Sequence, residues 1–423
     1  MVPNGWELST FEKHVDLLSG FAFKSAHYTE DDNDIKLLRG DNIAPNTLRW
    51  SGVKTWDRTE YCKLEKYHLV EHDFVIAMDR TWVSSGLKVA EVKKEDLPCL
   101  LVQRVSRIRT LPTLEQSLLK QYFSSHRFEQ YVKGVQTETA VPHISAKQIK
   151  EFTFLLPPLP EQRKIAKILS TWDKAITTTE KLIETSKQQK KALMQQLLTG
   201  KKRLVNQETS RAFEGEWEEV KLGELGQTFT GLTGKTKEDF GSGSLYIPYI
   251  NIFNNSSVNM AKLEKVHIGY GEKQNTVQFG DVFFTTSSET PDEVGMSSVM
   301  LSESEESVYL NSFCFGFRPN DTIRVVPEFM QYLLRSNRVR RSISVLAQGA
   351  TRYNLSKVQL LKISLFLPTY EEQQKIASVL TAADKDIEVL EAKLSHLKQE
   401  KKALMQQLLT GKRRVQVEES VAA

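Results

Sequence analysis

PEQRKIAKILSTWDKAITTTEKLIETSKQQKKALMQQLLTGK, residues 160–201, returns as EEQQKIASVLTAADKDIEVLEAKLSHLKQEKKALMQQLLTGK, residues 371–412. Glu161 matches Glu372 and Gly200 matches Gly411, each pair 211 residues apart, and Lys190–Lys201 is identical to Lys401–Lys412. Both copies carry a four-three seam. In the first it runs Ile165, Leu169, Trp172, Ile176, Thr179, Ile183, Ser186, Lys190, Leu193 and Leu197. In the second it runs Ile376, Leu380, Ala383, Ile387, Leu390, Leu394, Leu397, Lys401, Leu404 and Leu408. That spacing keeps one stripe of a helix facing a partner helix. Proline precedes each copy, and Thr369 with Glu372 spells a capping box. Gly200 and Gly411 stand where a left-handed cap is needed. About 40 residues at roughly 1.5 Å each make a rod of roughly 60 Å.

The repeat reaches beyond the rods. Trp6-Glu7 matches Trp217-Glu218, and Phe152–Leu155 matches Ile363–Phe366, at the same offset. Between those anchors the copies diverge, leaving small islands such as His72–Ile76 against Gly280–Phe284, where the offset is 208. One scaffold with two different recognition surfaces is the implication. Each domain reads as mixed α and β. Strands are expected at Phe74–Ala77, Leu100–Ile108, Val282–Thr286 and Val308–Phe317. Amphipathic helices are expected at Leu114–Lys133 and Pro327–Leu346. Their aromatic stripe (Tyr122, Phe123, Phe128; Phe329, Tyr332) fits a core better than a base-stacking platform. Asn206–Glu216 is polar and reads as a linker.

The 423 residues suffice for two or three domains, and a net charge of +4 permits nucleic-acid binding without demanding it. Cys62, Cys99 and Cys314 are scattered, with no metal or disulfide spacing, and fit a reducing cytosol. No apolar run is long enough to span a membrane. A cytoplasmic protein is therefore expected.

Motifs for catalysis or metal fail on inspection. His68-Leu69-Val70-Glu71-His72 has the H-x-x-E-H letters of an inverted zinc protease, but a strand follows at once and the second repeat has no histidine there. Gly234-Lys235-Thr236 ends like a phosphate-binding loop, but Phe229 stands where the first glycine belongs. There is no Asn-Pro-Pro-aromatic motif and no glycine-rich cofactor loop, so neither a catalytic residue nor a metal ligand is assigned. A stand-alone methyltransferase or nuclease is disfavoured. A bare coiled-coil scaffold is disfavoured by the two large diverged domains.

Several loops instead have a composition suited to DNA, since Arg, Lys, Asn and Gln pair with base edges or phosphates. In the first domain these are Lys36, Arg39 and Asn42, then Arg80, then Gln136 and Thr137 (continuing through Glu138 and Thr139) with His143. In the second they are Lys235, Asn251 and Asn254, then Ser287 and Ser288. The loop Gln348-Gly349-Ala350-Thr351-Arg352-Tyr353-Asn354 occupies the place of the Gln136–His143 loop. Arg335, Arg338, Arg340 and Arg341 crowd one helix.

Leu156-Pro157-Pro158-Leu159-Pro160-Glu161-Gln162, followed by Ile165-Ala166 and Leu169, and its echo Leu367-Pro368 with Glu372-Gln373, Ile376-Ala377 and Leu380, resemble the specificity subunit of Type I restriction–modification systems. The resemblance covers the whole chain. The second copy departs from it with Thr369-Tyr370-Glu371 in place of Pro-Leu-Pro. It implies an α+β fold: two globular mixed α/β target recognition domains and two long helices packed as an antiparallel coiled coil, a tandem repeat with pseudo-twofold symmetry. The implied boundaries are 1–155 for the first recognition domain, 156–203 for its helical spacer and 204–216 for a linker. The second recognition domain is then 217–366, its spacer 367–414, and the tail 415–423. In that family each recognition domain reads one half of a split, asymmetric double-stranded DNA site, and the helices set the gap. Two methyltransferase subunits using S-adenosylmethionine, and restriction subunits using ATP and magnesium, are the implied partners. The specificity subunit itself binds no cofactor and has no catalytic activity.

Overall fold

The computed structural model describes residues 2–137, 140–206, 208–320, 325–349 and 351–417. Glu138, Thr139, Ala350 and residues 418–423 of the tail lie outside them. The chain forms two compact units. One is Met1–Glu180 with Ala392–Ala423, and the other is Lys181–Glu391.

The first unit holds a four-stranded antiparallel sheet in the order Val89–Glu91, Phe74–Ala77, Val105–Thr110, Val15–Ser19. A three-stranded mixed sheet runs Cys99–Leu101, Ile35–Leu38, Thr55–Trp56, its first pair parallel. A separate antiparallel pair joins Glu7–Thr10 to Thr153–Leu156. The second unit repeats the plan. Its four-stranded antiparallel sheet runs Ser297–Val299, Val282–Thr285, Cys314–Pro319, Gly226–Thr230. Its mixed sheet runs Val308–Leu310, Phe240–Ile247, Glu264–Val266, and its closing pair joins Glu218–Lys221 to Ser364–Leu367. Topology is thus kept where sequence is not.

Two expected strands are each divided. Leu100–Ile108 breaks after Leu101 and resumes at Val105, and Val308–Phe317 breaks after Leu310 and resumes at Cys314. In both cases the chain leaves the mixed sheet, turns, and enters the four-stranded sheet. Both flanks are buried, so the apolar run continues across a turn that periodicity cannot see. A glycine marks each crossing: a Cβ on Gly20 would lie 2.2 Å from the Val102 carbonyl oxygen, and one on Gly231 2.2 Å from that of Asn311. The two expected helices also divide. Gln116–Phe123 and His126–Val135 are separated at Ser125, whose hydroxyl caps the Phe128 N–H at 3.2 Å. Pro327–Leu333 and Asn337–Ser344 are separated at Ser336, which caps Val339 in the same way. A serine accepting from the third residue on starts a new helix.

The aromatic stripes lie in the cores. In the first unit Phe11 sits among Phe123, Phe128, Phe152 and Phe154, with ring centroids 4.9–5.8 Å apart. Phe284, Phe315, Phe317 and Phe329 are buried in the second. Each core also recruits ends of both rod helices, Leu159–Leu197 and Tyr370–Leu408. Ile165 and Leu169 join Met405, Leu408 and Leu409 in the first unit, while Leu197 and Leu198 join Ile376, Ala377 and Leu380 in the second. Full burial of such side chains contributes roughly 1.5–3 kcal/mol each.

Along the seam, Ile183 and Ile387 are also buried, while Trp172, Ile176, Leu193, Leu390, Leu394, Leu397 and Leu404 are half-buried. The seam lysines are ion-paired. Lys401 meets Asp173 in the first unit, and Lys190 meets Asp384 in the second, where it also lies over the Tyr332 ring. Glu161–Arg414 and Glu180–Lys398 accompany the first of these, Glu372–Arg203 and Glu391–Lys187 the second. As one residue number rises its partner's falls, so within each unit the two helical segments run antiparallel. Every pair in one unit is the other unit's pair moved by 211 residues. The rods end on Gly200 (φ +69°) and Gly411 (φ +66°), the left-handed caps that the sequence requires. The stretch read as a linker folds back: Asn206 N–H donates to Arg211 and Phe213 N–H to Leu204.

Candidate nucleic-acid interface

In the first unit three segments are fastened at the end of the central strand Phe74–Ala77. Met78 donates its N–H to the Arg104 carbonyl at 2.8 Å, and its own carbonyl accepts the Ile144 N–H at 2.9 Å. Arg80 N–H reaches the Pro142 carbonyl at 2.7 Å. The loop after the strand, the crossover turn and the loop ending in His143 therefore meet. The second unit does the same after Val282–Thr285. Thr286 donates to the Phe313 carbonyl at 3.0 Å and accepts from Leu355 N–H at 2.9 Å.

The side chains differ. In the first unit Asp79 Oδ1 lies 2.6 Å from His143 Nδ1, and Arg104 Nη1 lies 3.7 Å from Asp79 and 3.5 Å from His143. Thr137 Oγ1 accepts the His143 N–H at 3.0 Å. Arg80 is exposed, and Gln136 Oε1 is buried with no partner among the described residues. Burial lowers the Lys88 pKa, Asp41 opposes that shift, and Arg80 adds to it, so these charges share one neighbourhood. Arg39 pairs with Asp41 at 3.4 Å on its border. In the second unit Ser287 and Ser288 pair as a short ladder with Asn354 and Tyr353. Arg352 Nε donates to Ser287 Oγ at 3.1 Å. Gln348 exchanges backbone hydrogen bonds with Asn354, and Gln348, Thr351, Arg352 and Asn354 are exposed.

Most of the other candidates are braces. Asn42 is buried, accepting from Arg39 N–H and donating to the Arg49 carbonyl, both at 3.0 Å. Asn251, 1% exposed, takes the Asn259 N–H and donates to the Asn259 and Lys262 carbonyls. Lys235 is held 2.6 Å from both the His267 carbonyl and Glu272, whose carboxyl it pulls down to about 2. Lys36 donates to the Glu95 carbonyl at 3.3 Å and lies over Trp50. Ser288 Oγ turns to Glu293. Asn254 is exposed at the end of the short helix Tyr249–Asn254. Two of the four clustered arginines are braces in the same way. Arg335 donates to the carbonyls of Ser297, Ile252, Phe253 and Asn255, and Arg340 to those of Asp292, Val294 and Gly295. Arg338 lies 3.6 Å over the Phe366 ring. Sequence composition does not distinguish an arginine satisfying carbonyls from one facing solvent.

His68 stacks on Tyr61 at 3.7 Å, and His72 pairs with Glu91 from a turn at φ +72°. Among the described residues no cluster of three or more His, Cys, Asp or Glu could hold a metal ion, and no helix is long and apolar enough to cross a membrane. Arg104 and Phe313 were missed by sequence reasoning, because each lay inside an expected strand.

The family model for the Type I restriction modification DNA specificity domain matches residues 3–187 and again 214–399. The chain is 37% identical over 191 residues to the EcoAI specificity subunit of Escherichia coli, a stretch covering 44% of this chain and 31% of that one. It is 28% identical over 319 residues to the MjaVIII specificity subunit of Methanocaldococcus jannaschii, covering 70% of each. In fold it is similar to the S subunit of a Type I restriction-modification system from M. genitalium, with TM-score 0.55, 14% identity, and coverage of 97% of this chain and 98% of that one. A chain from a solved type I R-M system gives TM-score 0.60 at 15% identity, covering 98% of this chain and all of that one. With both repeats matched, the chain belongs to the Type I restriction modification DNA specificity family.

Proposed function

We propose that this chain is the DNA-reading, non-catalytic subunit of a Type I restriction–modification complex in the cytoplasm. Each recognition domain reads one half of a split, asymmetric site in double-stranded DNA. The observation that carries this is the recurrence, at the end of the central strand in both units, of one backbone frame bearing different exposed side chains. Shared frames with different donors and acceptors give different half-sites, because base edges are told apart by hydrogen-bonding pattern. The rods act as an antiparallel coiled coil with pseudo-twofold symmetry. They set the gap between half-sites and help to hold two methyltransferase subunits. S-adenosylmethionine belongs to those subunits, and ATP and magnesium to restriction subunits, so this chain carries no cofactor of its own.

The test is a map of methylated adenines in host DNA. A split, asymmetric site is expected. Replacing Glu216–Phe366 with the equivalent segment of another family member should change one half of that site and leave the other. A change in both halves, or methyl transfer by the purified chain alone with labelled S-adenosylmethionine, overturns the proposal.

A further inference from the structure

Resting on that function, we propose that Arg104 and Phe313 are a matched pair of base-reading residues. Arg104 selects a G·C pair in one half-site, and Phe313 selects an A·T pair through the thymine methyl in the other. The two occupy one place in the repeated frame. Arg104 gives its carbonyl to Met78, the residue after the first unit's central strand, and Phe313 gives its carbonyl to Thr286, the residue after the second's. Both lie in the turn by which the chain crosses from the mixed sheet to the four-stranded sheet. Both turns stand beside the loops that carry His143 and Asn354.

Neither side chain is buried in a core. Arg104 holds a left-handed backbone, φ +66°, which non-glycine residues rarely adopt and which clusters at functional sites. Its side chain is 62% exposed, yet it is steered by Asp79 and His143 rather than lying free. A guanidinium fork oriented through Nη1 by Asp79 and His143, with most of the side chain still exposed, matches the O6 and N7 acceptors of guanine. Phe313 is 59% exposed although its chain neighbours Cys314 and Phe315 are buried. Its N–H is fixed by Asn311 Oδ1 at 2.8 Å, so the ring is presented from a braced turn. An exposed aromatic ring on a turn tied to Thr286, next to the Ser287 that Arg352 contacts, suits apolar contact with a thymine methyl.

The experiment uses the full chain assembled with its methyltransferase subunits, selected against a pool of randomised duplexes, with the bound fraction sequenced. Arg104→Asn keeps a residue tolerant of the left-handed turn but removes the fork. It should erase a G·C preference of about 10- to 100-fold at one position of one half-site. Arg104→Lys keeps the charge, and should retain overall affinity while weakening that same preference. Phe313→Ser should erase a thymine preference at one position of the other half-site. Unchanged melting temperatures for the three variants separate reading from folding, since both side chains are exposed. Uniform weakening with every base preference intact would mark Arg104 as a phosphate contact and overturn the proposal. So would unchanged preferences, or both residues acting on one half-site. If the unaltered complex enriches no split site, the specificity function itself falls, and this pair with it.

Discussion

Arg203 grips Glu372 through two hydrogen bonds, Nε to one carboxylate oxygen and Nη2 to the other, both 2.7 Å, with the Glu372 side chain 1% exposed. The arginine follows the first rod helix and the glutamate opens the second. Removing one partner of a buried ion pair costs about 3–5 kcal/mol, because the other charge stays without compensation, whereas replacing both partners by apolar residues is often near neutral. Glu372→Ala should therefore lose about 3 kcal/mol, and the double variant Arg203→Met/Glu372→Leu should recover most of it. Glu161→Ala should cost less, because Arg414 is 43% exposed. Chemical denaturation of the single and double variants measures this. Additive losses in the double variant would contradict it.

His14 supplies a pH dependence. It is buried between Ser9 and Thr113, each 2.8 Å from a ring nitrogen. Burial pushes its pKa below the ordinary 6.5, Glu7 opposes that shift, and Lys13 adds to it. Below 6.5 the unfolded chain takes up a proton that the folded chain resists, so stability is lost as pH falls through that range. The second unit carries Leu225 at the equivalent place, also buried. His14→Leu should flatten the loss seen between pH 7.5 and pH 5.5 in urea titrations (values chosen to bracket roughly one unit either side of an unperturbed histidine). An unchanged slope would assign the pH dependence elsewhere.

The rods were legible because four-three periodicity and an identical twelve-residue block, Lys190–Lys201 and Lys401–Lys412, leave little room for another reading. Phe74–Ala77 was legible because all four residues are apolar and a turn precedes them. The crossover turns were not. Leu101 and Val105 are both buried, in different sheets, and nothing in the letters between them announces the left-handed backbone of Arg104. Among the candidate site residues, Asn42, Asn251 and Lys235 had the right chemistry for DNA and spend it on backbone carbonyls or a carboxylate instead. The paired positions of His143 and Asn354 were readable, because the repeat itself aligned their loops.

The rod can be tested as a ruler. Seven residues inserted after Ile183 and seven after Leu394 fall between the Glu180–Lys398 and Lys187–Glu391 pairs, so every ion pair keeps its partner. One heptad lengthens a helix by roughly 10 Å. Duplex DNA rises about 3.4 Å per base pair. The gap between half-sites should grow by about three base pairs, with some loss of affinity from rotation around the duplex. Methylation sequencing reads the gap directly, and an unaltered gap would contradict the ruler.

Residues 1 to 205 contain one recognition domain and one rod, and they also contain both members of every ion pair. Glu161 loses Arg414 in this fragment, but Arg203 stands at the equivalent position; Asp173 and Lys190, and Glu180 and Lys187, are related in the same way. A second copy, antiparallel about a true twofold axis, would restore each pair across the new interface. It would also cover Ile165, Leu169, Ile183 and Leu197, whose exposure costs roughly 1.5–3 kcal/mol each. The fragment should therefore dimerise. Thr179 and Ser186 stand where the second rod has Leu390 and Leu397, so this dimer should be weaker than the packing it replaces. With methyltransferase present it should direct methylation to a palindromic split site, the first half-site and its inverted copy, with nearly the original gap. The charge-reversed fragment Asp173→Lys should fail to dimerise alone and recover when Lys190→Asp is added, because each copy then offers the complementary charge. Light scattering at tens of micromolar (an order of magnitude suited to a weak dimer) gives the oligomeric state. A monomer there, or methylation at the original asymmetric site, would count against the pseudo-twofold architecture.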